Sequence, residues 1–174
     1  MGLRREARER AIQFLFQYDL NPGDGMELAQ SLNQFWDTHR LSESDYERGK
    51  ATWGKEIELP LPTTRDASLR VFAEALIRGV LEHREELDLK LQKYIRNWDM
   101  KRMAVVDRNV LRMAVYELFF REDIPPVVSL NEAIEIAKRF STKDSGKFVN
   151  GILDRVRQDI LRPSRTPIKK PDTP

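Results

Sequence analysis

The amino-acid sequence predicts an all-α helical bundle. Apolar residues recur at three- and four-residue spacing along most of the chain, and no run alternates with the period of two that marks a half-buried strand. Breakers such as Asn21-Pro22-Gly23 and Asp123-Ile124-Pro125-Pro126 fall between the periodic segments.

The first segment, residues 3–19, lines up Leu3, Ala7, Ala11, Phe14, Leu15 and Tyr18 on one stripe. The second, 26–39, carries Leu28, Leu32, Phe35 and Trp36 in register. Residues 40–65 hold scattered charges with Gly49, Gly54, Pro60 and Pro62, and read as a long connection with at most a helical turn inside it. A helix resumes near Asp66 and buries Leu69, Phe72, Ala73, Leu76 and Val80; Leu87, Leu91, Tyr94 and Ile95 suggest a short one after it. Residues 103–120 form the most apolar helix. Ser129-Leu130-Asn131-Glu132 has the form of a capping box, in which hydroxyl and carboxylate satisfy free backbone donors, and it predicts a helix start at that point. The last helix runs from about Asp144 to Ile160. We therefore expect one domain over 1–161, followed by a basic, proline-rich, disordered tail over 162–174. That tail reads as a solubilising appendage or as a binding arm.

Composition narrows the function. The 174 residues include 30 basic and 28 acidic side chains, so any surface for a polyanion must be local. The charge is uneven: Arg4, Arg5, Arg8 and Arg10 crowd the first ten residues, and six basic side chains lie in residues 155–174. The longest run of hydrophobic residues is four, far short of the ~20 that a membrane helix needs. The chain contains no cysteine, which excludes disulfides, thiolate metal sites and a cysteine nucleophile. The two histidines, His39 and His83, lack partners at ligand spacing and read as surface residues. Gly23-Asp24-Gly25 lacks the third glycine of a dinucleotide fingerprint, and neither a P-loop nor a nucleophile elbow is present. The residues point to no catalytic chemistry and no cofactor.

Four local features ask for more than packing. Arg5 and Arg8 fall off the apolar stripe of the first helix, with Ile12 and Phe16 beyond them on the same outer side. That reads either as an interaction face or as a helix packed on two sides. Asp107 lies at the centre of the stripe of the 103–120 helix, so its carboxylate is either a first-turn residue favoured by the helix dipole or a grip at the open end of an apolar groove. In Lys143-Asp144-Ser145-Gly146-Lys147-Phe148-Val149-Asn150-Gly151, an aromatic at the edge of the buried stripe stands beside a lysine and an amide. Stacking, phosphate contact and base-edge hydrogen bonding on single-stranded RNA use those three groups; a core phenylalanine with capping neighbours is the competing reading. Asn131-Glu132-Ala133-Ile134-Glu135-Ile136-Ala137-Lys138 is accounted for as an ordinary amphipathic helix.

Taken together, these segments resemble the NusB family of bacterial transcription antitermination proteins. The resemblance rests on Arg4-Arg5-x-Ala7-Arg8-Glu9 with Gln13 and Tyr18, on Val106-Asp107-Arg108-x-Val110-Leu111-Arg112-x-Ala114-Val115-Tyr116-Glu117-Leu118, and on Asp123-Ile124-Pro125. It extends through the Asn131–Lys138 block and Asp144-Ser145-x-Lys147-Phe148-Val149-Asn150-Gly151-Ile152-Leu153-Asp154. It implies two small helical subdomains sharing the first helix, no catalysis, and a cytoplasmic protein. Its implied ligands are the boxA element of ribosomal RNA leaders and NusE, a small-subunit ribosomal protein, within an RNA polymerase antitermination complex. By position, Arg4, Arg5 and Arg8 match the family's arginine-rich RNA surface, and Lys147 and Phe148 its second RNA region, to which Asn150 is added as the neighbouring amide. Asp107, Asp144 and Phe16 match partner-facing positions. Glu6 replaces a basic residue, and Phe16 a tyrosine. The same helical domain occurs fused to ribosomal RNA cytosine methyltransferases, but this chain has neither the cysteine nor the length for that chemistry. The alternative to an RNA binder is a homodimeric helical scaffold with the arginine face buried between copies.

Overall fold

A computed structural model describes residues 2–21, 27–48, 61–95 and 99–161. Among them are seven α-helices and no strand. The expected tail over 162–174, the Gly23-Asp24-Gly25 segment and residues 49–60 lie outside the described residues. The chain divides into two compact units, Met1–Arg84 and Glu85–Pro174.

The first unit holds α1 (Leu3–Leu20), α2 (Leu28–Arg48) and α3 (Thr64–Glu82). Its core is built where the apolar stripes meet: Ala7, Ala11, Phe14 and Leu15 of α1, Leu32, Phe35 and Trp36 of α2, and Leu69, Ala73, Leu76, Ile77 and Val80 of α3 are all buried. A leucine or phenylalanine sunk this deeply contributes about 1.5–3 kcal/mol of transfer free energy. Phe14 stacks on Tyr18 and meets Phe35 edge-to-face, which ties α1 to α2. α2 continues past the expected end at residue 39 to Arg48, because the segment from Arg40 to Arg48 contains no glycine or proline and Gly49 follows it. α3 begins at Thr64, ahead of the expected Asp66, because Thr63 caps it. The Thr63 hydroxyl accepts from the Asp66 N–H at 3.2 Å, while Asp66 accepts from the Thr63 N–H at 2.7 Å.

The second unit holds α4 (Arg84–Gln92), a 3-10 turn at Met100–Arg102, α5 (Val105–Phe120), α6 (Pro126–Phe140) and α7 (Ser145–Leu161). The expected capping box at Ser129 does not form. α6 starts three residues earlier, with Pro126 in its first turn, where a missing N–H costs nothing and the fixed φ suits a helix. Ser129 is buried inside the helix and donates its hydroxyl to Glu117 Oε2 of α5 at 2.5 Å. α5 is the centre of this unit. Val110, Leu111, Met113, Ala114 and Val115 are buried, and so are Asp107, Asn109, Arg112 and Glu117. Arg112 binds Asp88 of α4 through two parallel bonds of 2.7 Å and also donates to Asn109 at 3.2 Å. A bidentate, planar pair of this kind is both stronger and more directional than a point-charge contact.

His39 departs from the surface position expected of it. It is half-buried on α2, its ring meets Phe35 edge-to-face, and its Nδ1 lies 3.1 Å from Arg10 Nη1. Arginine can only donate, so Nδ1 must be the unprotonated acceptor. Burial, and secondarily the Arg10 charge, push the imidazole pKa from 6.5 down to about 4. Between those two values the unfolded chain binds a proton that the folded one does not, so stability falls as pH drops through that window. Thermal melts of the wild-type chain should show this loss between pH 6.5 and 4, and His39→Gln, which keeps an acceptor without titrating, should flatten the slope. An identical pH dependence in the variant would assign the effect to other groups.

Candidate nucleic-acid interface

Two local surfaces carry the residues singled out from the sequence, one in each unit.

In the first unit, Arg4 and Arg5 are exposed on the opening turn of α1, where backbone N–H groups also point outward. Arg8 is not exposed with them. It is 2% exposed, its guanidinium lies 5.4 Å from the centre of the Phe72 ring of α3, and its Nη1 reaches the Arg4 carbonyl at 3.4 Å. The Arg4 guanidinium lies 5.5 Å from the same ring. One aromatic face thus gathers two cations, held by the attraction between guanidinium charge and ring quadrupole. The helical angle of Arg8 places it off the apolar stripe, but an arginine stem is long enough to lay its methylenes on apolar surface. Ile12 is likewise buried, at 1% exposure, and not part of an exposed apolar pair. Phe16 is half-buried.

Glu6, the acidic intruder on this face, is paired: its Oε2 accepts from Arg65 Nη2 of α3 at 2.8 Å. Arg65 is 53% exposed, so the pair adds little stability, yet it offsets the carboxylate and brings a further cation to the face. Phe72 and Arg65 are the residues that sequence reasoning missed here. Phe72 read as a core position, and nothing local to Arg65 marks it as a neighbour of Glu6. Arg10 turns away, towards Gln13 and His39.

In the second unit, the start of α7 presents Lys147 and Asn150 three residues apart and both exposed, with Phe148 half-buried between them. Asp144 is exposed just before the helix, and its backbone carbonyl accepts the Phe148 N–H at 3.1 Å. Lys147 and Asn150 share a face, a cation and an amide suited to phosphate and base edge, while the partly covered Phe148 ring lies about 100° round the helix from Lys147, where it could meet a base face. Asp107 is not at the mouth of a groove. α5 begins at Val105, which puts Asp107 in its first turn, but the residue is only 7% exposed and its Oδ2 accepts from the Ser145 hydroxyl at 2.9 Å. The open groove mouth expected around it is therefore not where the structure places it: Asp107 makes its contact inside the second unit. Among the described residues no group of three or more histidines and carboxylates stands together as a metal site, and no helix is long and apolar enough to cross a membrane.

The burial of Arg8 gives a sharp expectation. Arg8→Ala should lower stability by about 1–3 kcal/mol, through the lost stacking on Phe72 and the space left behind. Arg4→Ala and Arg5→Ala should each stay within about 0.5 kcal/mol. Urea denaturation of the three variants checks this, and equal stabilities would contradict the buried geometry.

The NusB family model matches residues 5–158. The transcription antitermination protein NusB of Trichlorobacter lovleyi is 46% identical over 156 residues, which span 90% of this chain and 91% of the relative. That of Methylacidiphilum infernorum is 40% identical over 159 residues, 91% of this chain and 93% of its own length. Among solved structures, T. maritima NusB matches with a TM-score of 0.67 at 36% identity, covering 90% of this chain and 91% of that one. A NusB crystallised with NusE and dsRNA shares the fold, with a TM-score of 0.62 at 24% identity over 91% of this chain and 98% of that one.

Proposed function

The chain belongs to the NusB family, and from that premise we propose that it is an RNA-binding transcription antitermination factor. It binds boxA-type leader RNA of ribosomal RNA operons together with the ribosomal protein NusE and helps RNA polymerase read through terminators in the cytoplasm. The family is non-catalytic, so recognition is the whole of its chemistry.

The observation that carries this reading is the arginine cluster at the start of α1. Arg4 and Arg5 are exposed, Arg4 and Arg8 share the Phe72 ring, and Arg65 offsets Glu6. Guanidinium groups pair bidentately with phosphates and stack on bases, and holding them on an aromatic ring reduces the freedom they lose on binding. The second RNA contact is assigned to Lys147, Phe148 and Asn150 of α7. Phe16 and Asp144 are assigned to the partner side. The structure of a relative with NusE and dsRNA supports treating both ligands as partners of this chain.

Titration of labelled boxA-type RNA tests the reading directly. The double variant Arg4→Ala/Arg5→Ala should bind more weakly by about tenfold, and the slope of log affinity against log salt should flatten by about 1.4, the counterion release of two phosphate contacts on a single strand. Light scattering should show the RNA complex forming. A chain that stays dimeric and ignores RNA would favour a self-associating scaffold instead.

Phe148 separates packing from recognition. Phe148→Leu keeps apolar volume and removes the aromatic face. It should fold normally and lose about 1–3 kcal/mol of RNA binding, the worth of one stacked base. Wild-type affinity in this variant, at matched salt, would return Phe148 to the core.

A further inference from the structure

A cluster of hydroxyls lies beneath the start of α7, and it is organised by a side chain from another helix. Ser145 is the first residue of α7 and is buried. Its Oγ lies 2.9 Å from Asp107 Oδ2, 2.8 Å from the Thr142 hydroxyl, 3.0 Å from the Ser141 hydroxyl and 3.2 Å from the Thr142 N–H. A hydroxyl has one proton and two lone pairs, whereas an ionised carboxylate only accepts. The Ser145 proton therefore goes to Asp107. The lone pairs are left for the Thr142 N–H and for a neighbouring hydroxyl, so a single carboxylate sets the direction of the whole network.

The network joins three elements: Asp107 from the first turn of α5, Ser141 from the C-terminal cap of α6, and Ser145 from the start of α7. α6 closes the arrangement from the other side. Gly146 lies against the stem of Lys138, close enough that an added Cβ would sit 2.6 Å from Lys138 Cγ. The turn from Ser141 to Asp144 is thus held at both ends, and Lys147 and Phe148 come directly after the Ser145-Gly146 pair that holds it.

A place in the first turn of α5 suits a carboxylate electrostatically but does not require one enclosed this deeply. Its second oxygen, Oδ1, is buried with no hydrogen-bond partner in the protein, which is a cost to stability. We propose that Asp107, acting through Ser145, is a positioning residue that fixes the start of α7 in its RNA-binding geometry. This rests on the reading of Lys147, Phe148 and Asn150 as RNA contacts. A preorganised contact surface binds more tightly than the same side chains on a loose turn, because less order remains to be imposed on binding.

The test uses the full chain and a fluorescently labelled, single-stranded boxA-type RNA. Ser145→Ala should weaken binding by about five- to tenfold while circular dichroism shows an intact helical fold. Its salt slope should match wild type, since no phosphate contact is removed. Amide hydrogen exchange should quicken at Lys147, Phe148 and Val149 and stay unchanged in α1 and α3. Asp107→Ala should bind as weakly as Ser145→Ala, and Asp107→Asn, which keeps an acceptor for the serine, should restore binding. Ser145→Ala combined with Phe148→Leu should be no weaker than the weaker single variant, to within about twofold, as expected of residues acting through one contact.

Wild-type affinity in Ser145→Ala, alongside weakened binding in Phe148→Leu, would overturn the positioning role and leave the RNA reading of α7 in place. Asp107→Asn binding as poorly as Asp107→Ala would overturn it as well. Unchanged affinity in Phe148→Leu and Lys147→Ala would instead remove α7 from the RNA surface, and the positioning role with it.

Discussion

The second unit depends on one constraint: α5 is buried around most of its circumference, and three of its charged residues are buried with it and must find partners inside. Asp107, Arg112 and Glu117 are spaced five residues apart. At about 100° per residue, each step of five turns the side chain by about 140°, so the three point in three different directions. Each meets a different helix: Asp107 meets Ser145 of α7, Arg112 meets Asp88 of α4, and Glu117 meets Ser129 of α6. Apolar contacts around α5 supply the bulk of the burial but tolerate sliding and rotation, because dispersion has little direction. The three polar contacts do not tolerate it. A rotation of α5 that repaired one would break the other two, and each broken contact leaves a buried polar group without a partner, at about 1–3 kcal/mol.

The first unit solves a related problem with softer interactions. Its arginines meet aromatic rings: Arg4 and Arg8 lie against Phe72, and Arg70 lies 6.0 Å from the Trp36 ring while also binding Glu74 and Asn33. Cation–ring attraction falls off gently with angle, so such contacts restrain a guanidinium without consuming its hydrogen-bond donors. That distinction matters for a recognition surface. Arg4 is held in this way on the exposed opening turn of α1, whereas Arg8 is buried and donates to the Arg4 carbonyl, and Arg70 also pairs with Glu74.

Helix existence was legible from periodicity alone, because each apolar stripe reports one buried side of its own helix. Residues 3–19 and 103–120 come within two residues of the observed ends on that ground. What escaped was set by partners distant in sequence. Ser129 carries a capping-box pattern, but Glu117 competes for its hydroxyl and Pro126 starts the helix earlier. Arg8 is polar by type and off the stripe by angle, and only Phe72, far along the chain, explains why it is buried. His39 looked solvated because no metal-ligating residue stands at ligand spacing from it and nothing local marks Arg10, 29 residues away, as the neighbour that it is in the fold. In the candidate site, residue types and motif spacing exposed Arg4, Arg5, Lys147 and Phe148. The supporting contacts through Phe72, Arg65 and Ser145 were invisible to them, since a supporting contact is a property of packing and not of local pattern.

Gly146 turns the junction of α6 and α7 into a gauge of volume. Its backbone needs no special conformation, so glycine is not there for flexibility; it is there because the Lys138 stem fills the space where a side chain would begin. The obstructing atom is Cγ, close to the helix backbone, so relief requires re-rotating the whole lysine, whose ammonium is paired with Glu135 at 2.8 Å. In a saturation library, position 146 would therefore separate glycine from every other residue, whatever its polarity. Alanine would already pay most of the toll, and the sensitivity would be shared with position 138, where a shorter residue would make room. Paired changes at these two sites would behave as a single trait, readable from growth or binding data.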